Sequence, residues 1–412
     1  MTTDAKPLPL GWIIVALLFA AGALNYIDRI MITTMRWSVM AAIPMTDAQF
    51  GLLSSVFLWV YGGLSPFAGF LADRFNRSKV IIGSLLAWSA ITWLTVYATT
   101  FEELMVTRVL LGISTACYLP AALALIADYH RGSTRSFASG IHQAGVSVGH
   151  TLAGLGGWMA ERNGWAHPFF LFGVIGVVYS LGLCFVLRDP PRPAVTVATS
   201  APQEKLSFVS AIRSLFSSPQ YILALLFWGL LGTVGWAISG WAPTYFKEHF
   251  HLSQGQAGLY AVSYRQIAAV VGMLLGGFLA DRWSRTNPRG RILVPAIGLC
   301  FAAAGILAMA NTPLTLIGIV GMMIYGLTRT FTDANIMPIL CLVCDARYRA
   351  TGLGVLNAAS CLVGGGAIYI GGALRDANVP LGKLYTVSGL SLFACAAILF
   401  CLKPVKPAEV AK

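Results

Sequence analysis

The chain is short of charge: charged residues fill 11% of its 412 positions, and only 16 of them are acidic. With 57% hydrophobic residues and a mean hydropathy of +0.73, it lacks the charged exterior that a soluble globular domain needs. No Gly-Lys-Ser/Thr phosphate loop occurs anywhere, which argues against an ATP-driven pump. No polar stretch is long enough to form a soluble enzyme or sensor domain, so an enzyme is not expected. Gly145-Val-Ser147-Val-Gly149 has the spacing of a hydrolase nucleophile elbow, but that turn requires a preceding strand. Here it lies inside an apolar segment, where Gly145, Gly149 and Ala153 recur four apart and suit close helix contact. The clustered Gly364, Gly365, Gly366, Gly371 and Gly372 suggest helix packing in the same way. Eight cysteines, all in apolar stretches, give no disulfide framework. Cys341 and Cys344 form one CxxC without a second pair or nearby histidines, so neither metal nor cofactor is expected. The net charge of +12 is spread over loops rather than gathered in a basic domain, which argues against a nucleic-acid partner.

What the chain has instead is apolar segments of bilayer length, recurring about twelve times between residues 11 and 402, the fifth over roughly 137 to 160. When sides alternate, nineteen Lys and Arg fall on one side, while Arg36, Arg162, Lys247, Arg375 and Lys383 fall on the other. The positive-inside rule then places both termini in the cytoplasm. Lys6 precedes an apolar run containing Ala20-Ala21-Gly22, but the run continues well past that point and reads as a retained first helix rather than a signal peptide. Residues 188–219 are rich in Pro, Ser and Ala and read as a cytoplasmic linker between two six-helix bundles, 1–187 and 220–412. Within the linker Phe208, Ile212, Leu215 and Phe216 recur at helical spacing, as in a helix lying on the membrane surface. The expected class is an all-α integral membrane protein of twelve spans in two pseudo-symmetric halves, surrounded by the lipid bilayer.

The halves repeat. Gly69-Phe-Leu-Ala-Asp73-Arg74-Phe-Asn-Arg77 returns 208 residues later as Gly277-Phe-Leu-Ala-Asp281-Arg282-Trp-Ser-Arg285, and Arg135 is echoed more weakly by Arg349. Repeats of this kind build secondary transporters, with the substrate near the midplane between them. Asp73, Arg74, Arg77, Asp281, Arg282 and Arg285 suit a latch that holds helix ends in one state and releases them in another. A loop staple that also sets topology is the alternative.

Ionisable residues inside spans cost roughly 2.5 to 3.5 kcal/mol on insertion scales and so face cavities or partners. In the first span Asn25, Arg29 and Thr33 fall on one face, with Asp28 about 100° round from Arg29. A pair that only neutralises itself or a neighbouring helix is the alternative. Arg265, Arg329 and Asp333 are expected to face the same central cavity. For Arg329 and Asp333 the alternative is pairing along their own helix, and for Arg265 it is snorkelling to the interface. A cavity with these arginines is electropositive and calls for a negatively charged substrate. His142 and His150 in the fifth segment suit either a pH sensor or a helix contact.

The duplicated Gly-x-x-Ala-Asp-Arg-x-x-Arg loop, the twelve spans and the linker resemble the major facilitator superfamily across nearly the whole chain. Asn25-Tyr-x-Asp28-Arg29 and Arg108-x-x-x-Gly112 resemble the first- and fourth-helix motifs of its anion:cation symporter family, which carries organic anions such as sugar acids with protons or sodium. That resemblance implies a proton-coupled importer of a small carboxylate working by alternating access, in a plasma membrane such as a bacterial inner membrane, with a monomer expected. It further implies that Arg29 holds the carboxylate, that Asp28 is a proton site, and that Tyr61, Gln143 and Asn357 orient hydroxyls. Arg108 joins the gating residues, and Asp333 is a second proton candidate. Thr115 stands where many members carry a glutamate, which leaves the proton count open. The alternative within the superfamily is the spinster-type branch, exporting lysolipids or sphingoid signals.

Overall fold

Helix starts follow the chain's own capping residues. Thr100 and Glu103 form a capping box, as do Ser253 and Gln256. Asn76 accepts from the Lys79 amide, and Ser218 caps a helix whose first residue is Pro219. Gly164, at φ +84°, ends another in a conformation that few side chains adopt.

The computed structural model describes residues 10–130, 134–190, 208–287, 289–343 and 349–402, which form helices and no strand. Before the linker come α1 (Gly11–Ile30), α2 (Arg36–Ala42), α3 (Asp47–Arg74), α4 (Arg77–Leu94), α5 (Phe101–Ala116), α6 (Tyr118–Tyr129), α7 (Arg135–Leu152), α8 (Gly156–Asn163) and α9 (Ala166–Val186). After it come α10 (Phe208–Ser217), α11 (Pro219–His249), α12 (Gln254–Gly258), α13 (Arg265–Ser284), α14 (Gly290–Ala310), α15 (Thr315–Val343), α16 (Arg349–Asp376) and α17 (Leu381–Cys401). Lys6, Arg131, Arg347, Cys344, the linker stretch 191–207 and the side chains of Asp73, Arg74 and Cys341 lie outside the described residues.

Among the described residues eleven stretches are long and apolar enough to cross a membrane. The segment expected over 137 to 160 is also helical, α7 and α8 being joined by a 3-10 turn at Ala153–Leu155. Its polar side chains, Gln143, Ser147, His150 and Thr151, make it less apolar than those eleven. The helix expected from Phe208 and its neighbours is α10, with Leu215 buried and Phe216 outward.

Glycines let these helices touch. A Cβ at Gly145 or Gly149 would overlap the α1 backbone at Phe19 or Ala23, so α1 and α7 pack backbone to backbone. Helix α16 lies antiparallel along α3, where the Ser55 hydroxyl donates to the Gly365 carbonyl at 2.6 Å and the Trp59 indole to the Leu362 carbonyl at 2.9 Å. Of the glycines singled out in the sequence for helix contact, all but Gly366 thus sit at close contacts.

The face opposite the linker is shut by a ring of four alternating charges. Arg36 pairs with Asp47; Asp47 accepts from Arg375 Nε at 2.9 Å; Arg375 grips Glu248 through two 2.7 Å bonds; and Glu248 lies 3.6 Å from Arg36. Asp376 caps α3 from another helix, its two oxygens accepting from the Asp47 and Ala48 amides at 2.9 Å. Nearby, the Gln254 side chain donates to Ser38 Oγ at 2.8 Å and to the Gly157 carbonyl at 3.0 Å, and the Gly255 amide donates to Glu161 at 3.1 Å. Arg36 and Asp47 are 7% and 14% exposed, so removing one partner strands a charge away from water. Asp47→Asn should therefore loosen this closure. We expect labelling of a cysteine at Ser54, approached from this face, to rise by about tenfold, equivalent to ~1.4 kcal/mol. Unchanged labelling would show that the ring does not hold the closed state.

Candidate functional site

The last turn of α1 sends adjacent charges in different directions. Asp28, 1% exposed, faces Arg108 on α5 and Trp88 and Thr92 on α4, away from the centre. Its two oxygens, the Trp88 indole nitrogen, the Thr92 hydroxyl and Arg108 Nε are all buried together. The carboxylate thus faces a guanidinium and two neutral donors in one buried cluster. Beyond Ile30 the helix tightens into a 3-10 turn at Met31–Thr34, where the Thr33 and Thr34 hydroxyls donate to the Ile30 and Met31 carbonyls at 2.8 and 2.7 Å.

Arg29 faces the other way. Its guanidinium lies over the rings of Tyr61 at 4.7 Å, Phe57 at 4.9 Å, Trp236 at 5.0 Å and Tyr26 at 5.3 Å. Each such contact contributes about 0.5 to 2 kcal/mol and fixes the plane of the fork while leaving its in-plane N–H groups unused. Nε is buried, and Arg29 lines a pocket enclosing about 400 Å³ of empty space. Thr33, Ser54, Ser239 and Arg108 supply its polar lining, and Leu53, Leu58 and Ile368 its apolar wall. Arg108 therefore stands between the Asp28 chamber and the Arg29 pocket.

Across the centre, a π-helical turn at Leu259–Tyr264 leads into α13. A π turn takes an extra residue per turn and so rotates the side chains beyond it around the helix axis. Tyr264 is left outward at 40% exposed, and Arg265 is turned inward at 8%. Arg265 Nη2 lies 3.4 Å from His150 Nε2, and the His150 ring packs on Tyr26 with centroids 5.3 Å apart. The Ser263 hydroxyl donates to the Thr151 carbonyl at 2.6 Å, pinning this turn to α7. On α15, Arg329 donates to Asp333 at 2.6 Å along the helix, with both side chains partly exposed. Arg265 does not snorkel: it is buried against His150.

The remaining expected residues are more scattered. Tyr61 stacks on Phe57 beneath Arg29. Gln143 and Asn357 are exposed and, among the described residues, make no hydrogen bond; they lie on the faces of α7 and α16 that carry His150 and Cys361, nearer the linker. Thr115 is buried, its hydroxyl donating to the Leu111 carbonyl at 2.7 Å. Arg77 pairs with Asp128 and donates to the Ala124 carbonyl at 3.2 Å, while its amide donates to Asp189 at 3.1 Å. Asp281 pairs with Arg291 at 3.1 Å, while Arg282 and Arg285 are exposed. His142 is a helix contact, its Nδ1 lying 3.0 Å from the Leu18 carbonyl. Sequence reasoning did not single out Phe57, Trp236 or the charge ring. An aromatic inside an apolar helix carries no mark of its neighbour, but carboxylates at the helix ends opposite the linker were a usable signal, because acidic residues are so few.

Residues 18–368 match the family model of the Major Facilitator Superfamily. Among curated proteins the chain is 27% identical to protein spinster homolog 1 of Xenopus tropicalis, over 90% of this chain and 74% of that one. Further spinster homologs are matched over about 58 to 61% of their length. It is 25% identical to a probable sulfoacetate transporter of Cupriavidus necator, over 92% and 91% of the two chains. The structure superposes with a TM-score of 0.77 on a bacterial homolog of the human lysosomal transporter Spinster, crystallised inward-facing and unoccupied, at 24% identity over 96% and 95% of the chains. With a family model spanning most of its length and a fold to match, the chain belongs to the Major Facilitator Superfamily, a multi-pass membrane transporter and not an enzyme.

Proposed function

We propose that the protein is a secondary active transporter that brings a small organic anion, of the sugar-acid or simple carboxylate class, into the cell with protons by alternating access. The observation that carries this reading is Arg29: a guanidinium clamped between four aromatic rings, lining a pocket closed on one face. An aromatic clamp leaves a fork free to bind an oxyanion at two points. The residue ranges 1–187 and 220–412 act as the two rocking bundles, joined by 188–219. With the basic loops inside, the linker face is cytoplasmic and the closed face is external. Arg77, Arg108, Asp281 and the neighbouring loop charges hold helix ends within each bundle as it moves.

Coupling runs through Arg108. It borders the Arg29 pocket on one side and faces Asp28 on the other. An anion in the pocket draws Arg108 toward itself, so that anion binding and proton uptake on Asp28 go together. Tyr61 supports the fork from below, while Gln143 and Asn357 meet substrate hydroxyls at the inner mouth, with Arg265, Arg329 and Asp333 across the centre. The relative described as a probable sulfoacetate transporter supports an anionic cargo.

The spinster likeness favours a second reading, export of a lysolipid or sphingoid compound, since Arg29 also suits a phosphate headgroup and the wall is largely apolar. In reconstituted vesicles, uptake of radiolabelled sugar acids against release of lysolipid separates the two.

Replacing the planar fork by an ammonium removes both the stacking and the two-point grip, so Arg29→Lys should weaken anion binding by about ten- to a hundredfold. Ligand-induced thermal stabilisation measures this, and wild-type binding would make Arg29 a structural residue. Asp28→Asn should abolish accumulation driven by a pH gradient while sparing exchange of substrate across the vesicle membrane; retained accumulation would remove Asp28 from coupling. Cysteine at Ser217, exposed at the end of α10, should resist impermeant reagents in intact cells and react in inverted vesicles. Labelling in intact cells would reverse the assigned topology.

A further inference from the structure

We propose that the centre of the bundle selects a dianion: a short molecule with one anionic group at each end, such as a dicarboxylate or a sulfonated carboxylate, held by Arg29 on α1 and Arg265 on α13. This rests on the anion-transport reading and narrows it.

Charge counting carries the step. Five ionisable side chains meet around the centre: Arg29, Arg265, Arg329, Asp333 and His150. Asp333 answers Arg329 at 2.6 Å. His150 adds no charge, because a guanidinium only donates and Arg265 faces its Nε2 at 3.4 Å, so that nitrogen presents a lone pair. Arg108 also lines the pocket, and its charge is offset by the Asp28 carboxylate that it faces on the far side of α1. Two guanidiniums remain without a carboxylate partner among the described residues, Arg29 and Arg265. A monoanion leaves one of them unanswered in a water-poor interior, whereas a dianion answers both.

The geometry fits a short molecule. Tyr26 touches both ends of the site, lying 5.3 Å from the Arg29 guanidinium and 5.3 Å from the His150 ring that meets Arg265. Tyr26 and His150 thus link the two cations through one chain of contacts. Arg29 precedes the linker and Arg265 comes after it, so a two-ended anion ties together helices from both sides of the linker, and a one-ended anion engages one side only.

The test uses the full-length protein purified in detergent, with thermal stabilisation by succinate and sulfoacetate compared with acetate and gluconate, and with sulfate as a one-centred dianion. We expect half-saturation at concentrations at least about tenfold lower for the two-ended dianions than for the others, the discrimination of one charge-assisted contact. Arg265→Gln should bring succinate and sulfoacetate to the level of acetate, and Arg265→Lys should restore part of the difference. Should Arg265→Gln fail to fold, the wild-type panel and Arg265→Lys still decide. Monoanions or sulfate binding as tightly as sulfoacetate, or a dianion preference that survives in Arg265→Gln, would overturn the two-ended grip while leaving anion transport standing. Stabilisation by lysolipid and by none of the anions would instead overturn the anion reading itself.

Discussion

A cation placed inside an apolar bundle has to be answered, and the architecture of this transporter is governed by how each buried guanidinium is. Arg108 is answered by a carboxylate, Arg329 by Asp333 one turn away, and Arg36 and Arg375 by a shared Asp47. Arg29 is answered by aromatic faces alone. Ring faces stabilise a cation weakly compared with a carboxylate, and they leave its hydrogen-bonding edge free. A guanidinium so arranged is held in place without being satisfied.

The same logic separates structural from functional charge. On the face opposite the linker, carboxylates and arginines alternate around a closed ring whose members come from α2, α3, α11 and α16. Each charge there has a partner, and the ring spans helices from both sides of the linker. Such a closure is strong when complete and fails as a unit when one member leaves, which suits an element that must be either shut or open. At the centre, by contrast, the irregular turns gather: a 3-10 turn after Arg29, a 3-10 turn after His150 and a π turn before Arg265. Irregular backbone beside a cavity permits small rotations of the adjoining side chains, without unpacking the helices that carry them.

Glycine placement connects the two regions. The α1 and α7 backbones meet at Gly145 and Gly149, which brings His150 close enough to pack on Tyr26. Along α3 and α16, the contacts of Ser55 and Trp59 continue the closure from the charge ring toward the midplane. The pocket at Arg29 therefore lies at the end of a sealed path, next to the helices whose separation would open it.

Much of this was legible in the chain itself. Span length and apolarity fixed the helical membrane class, since a backbone in lipid has few ways to satisfy its polar groups. The repeated Asp-Arg loops and the recurring apolar spans pointed to the family, because those signals are local. The sequence also marked Asp28 and Arg29 as exceptional, for the cost of a charge in a span holds whatever the fold. It did not say that the two turn to different neighbours, that Phe57 and Trp236 complete the clamp, or that Asp333 is spent on Arg329 while Arg265 is left to His150. Those outcomes depend on which helix faces which and on the rotation added by the π segment before Arg265. A periodicity counted along one helix names a face, but only packing supplies what that face meets, so tertiary structure decided which charges are paired and which wait for a ligand.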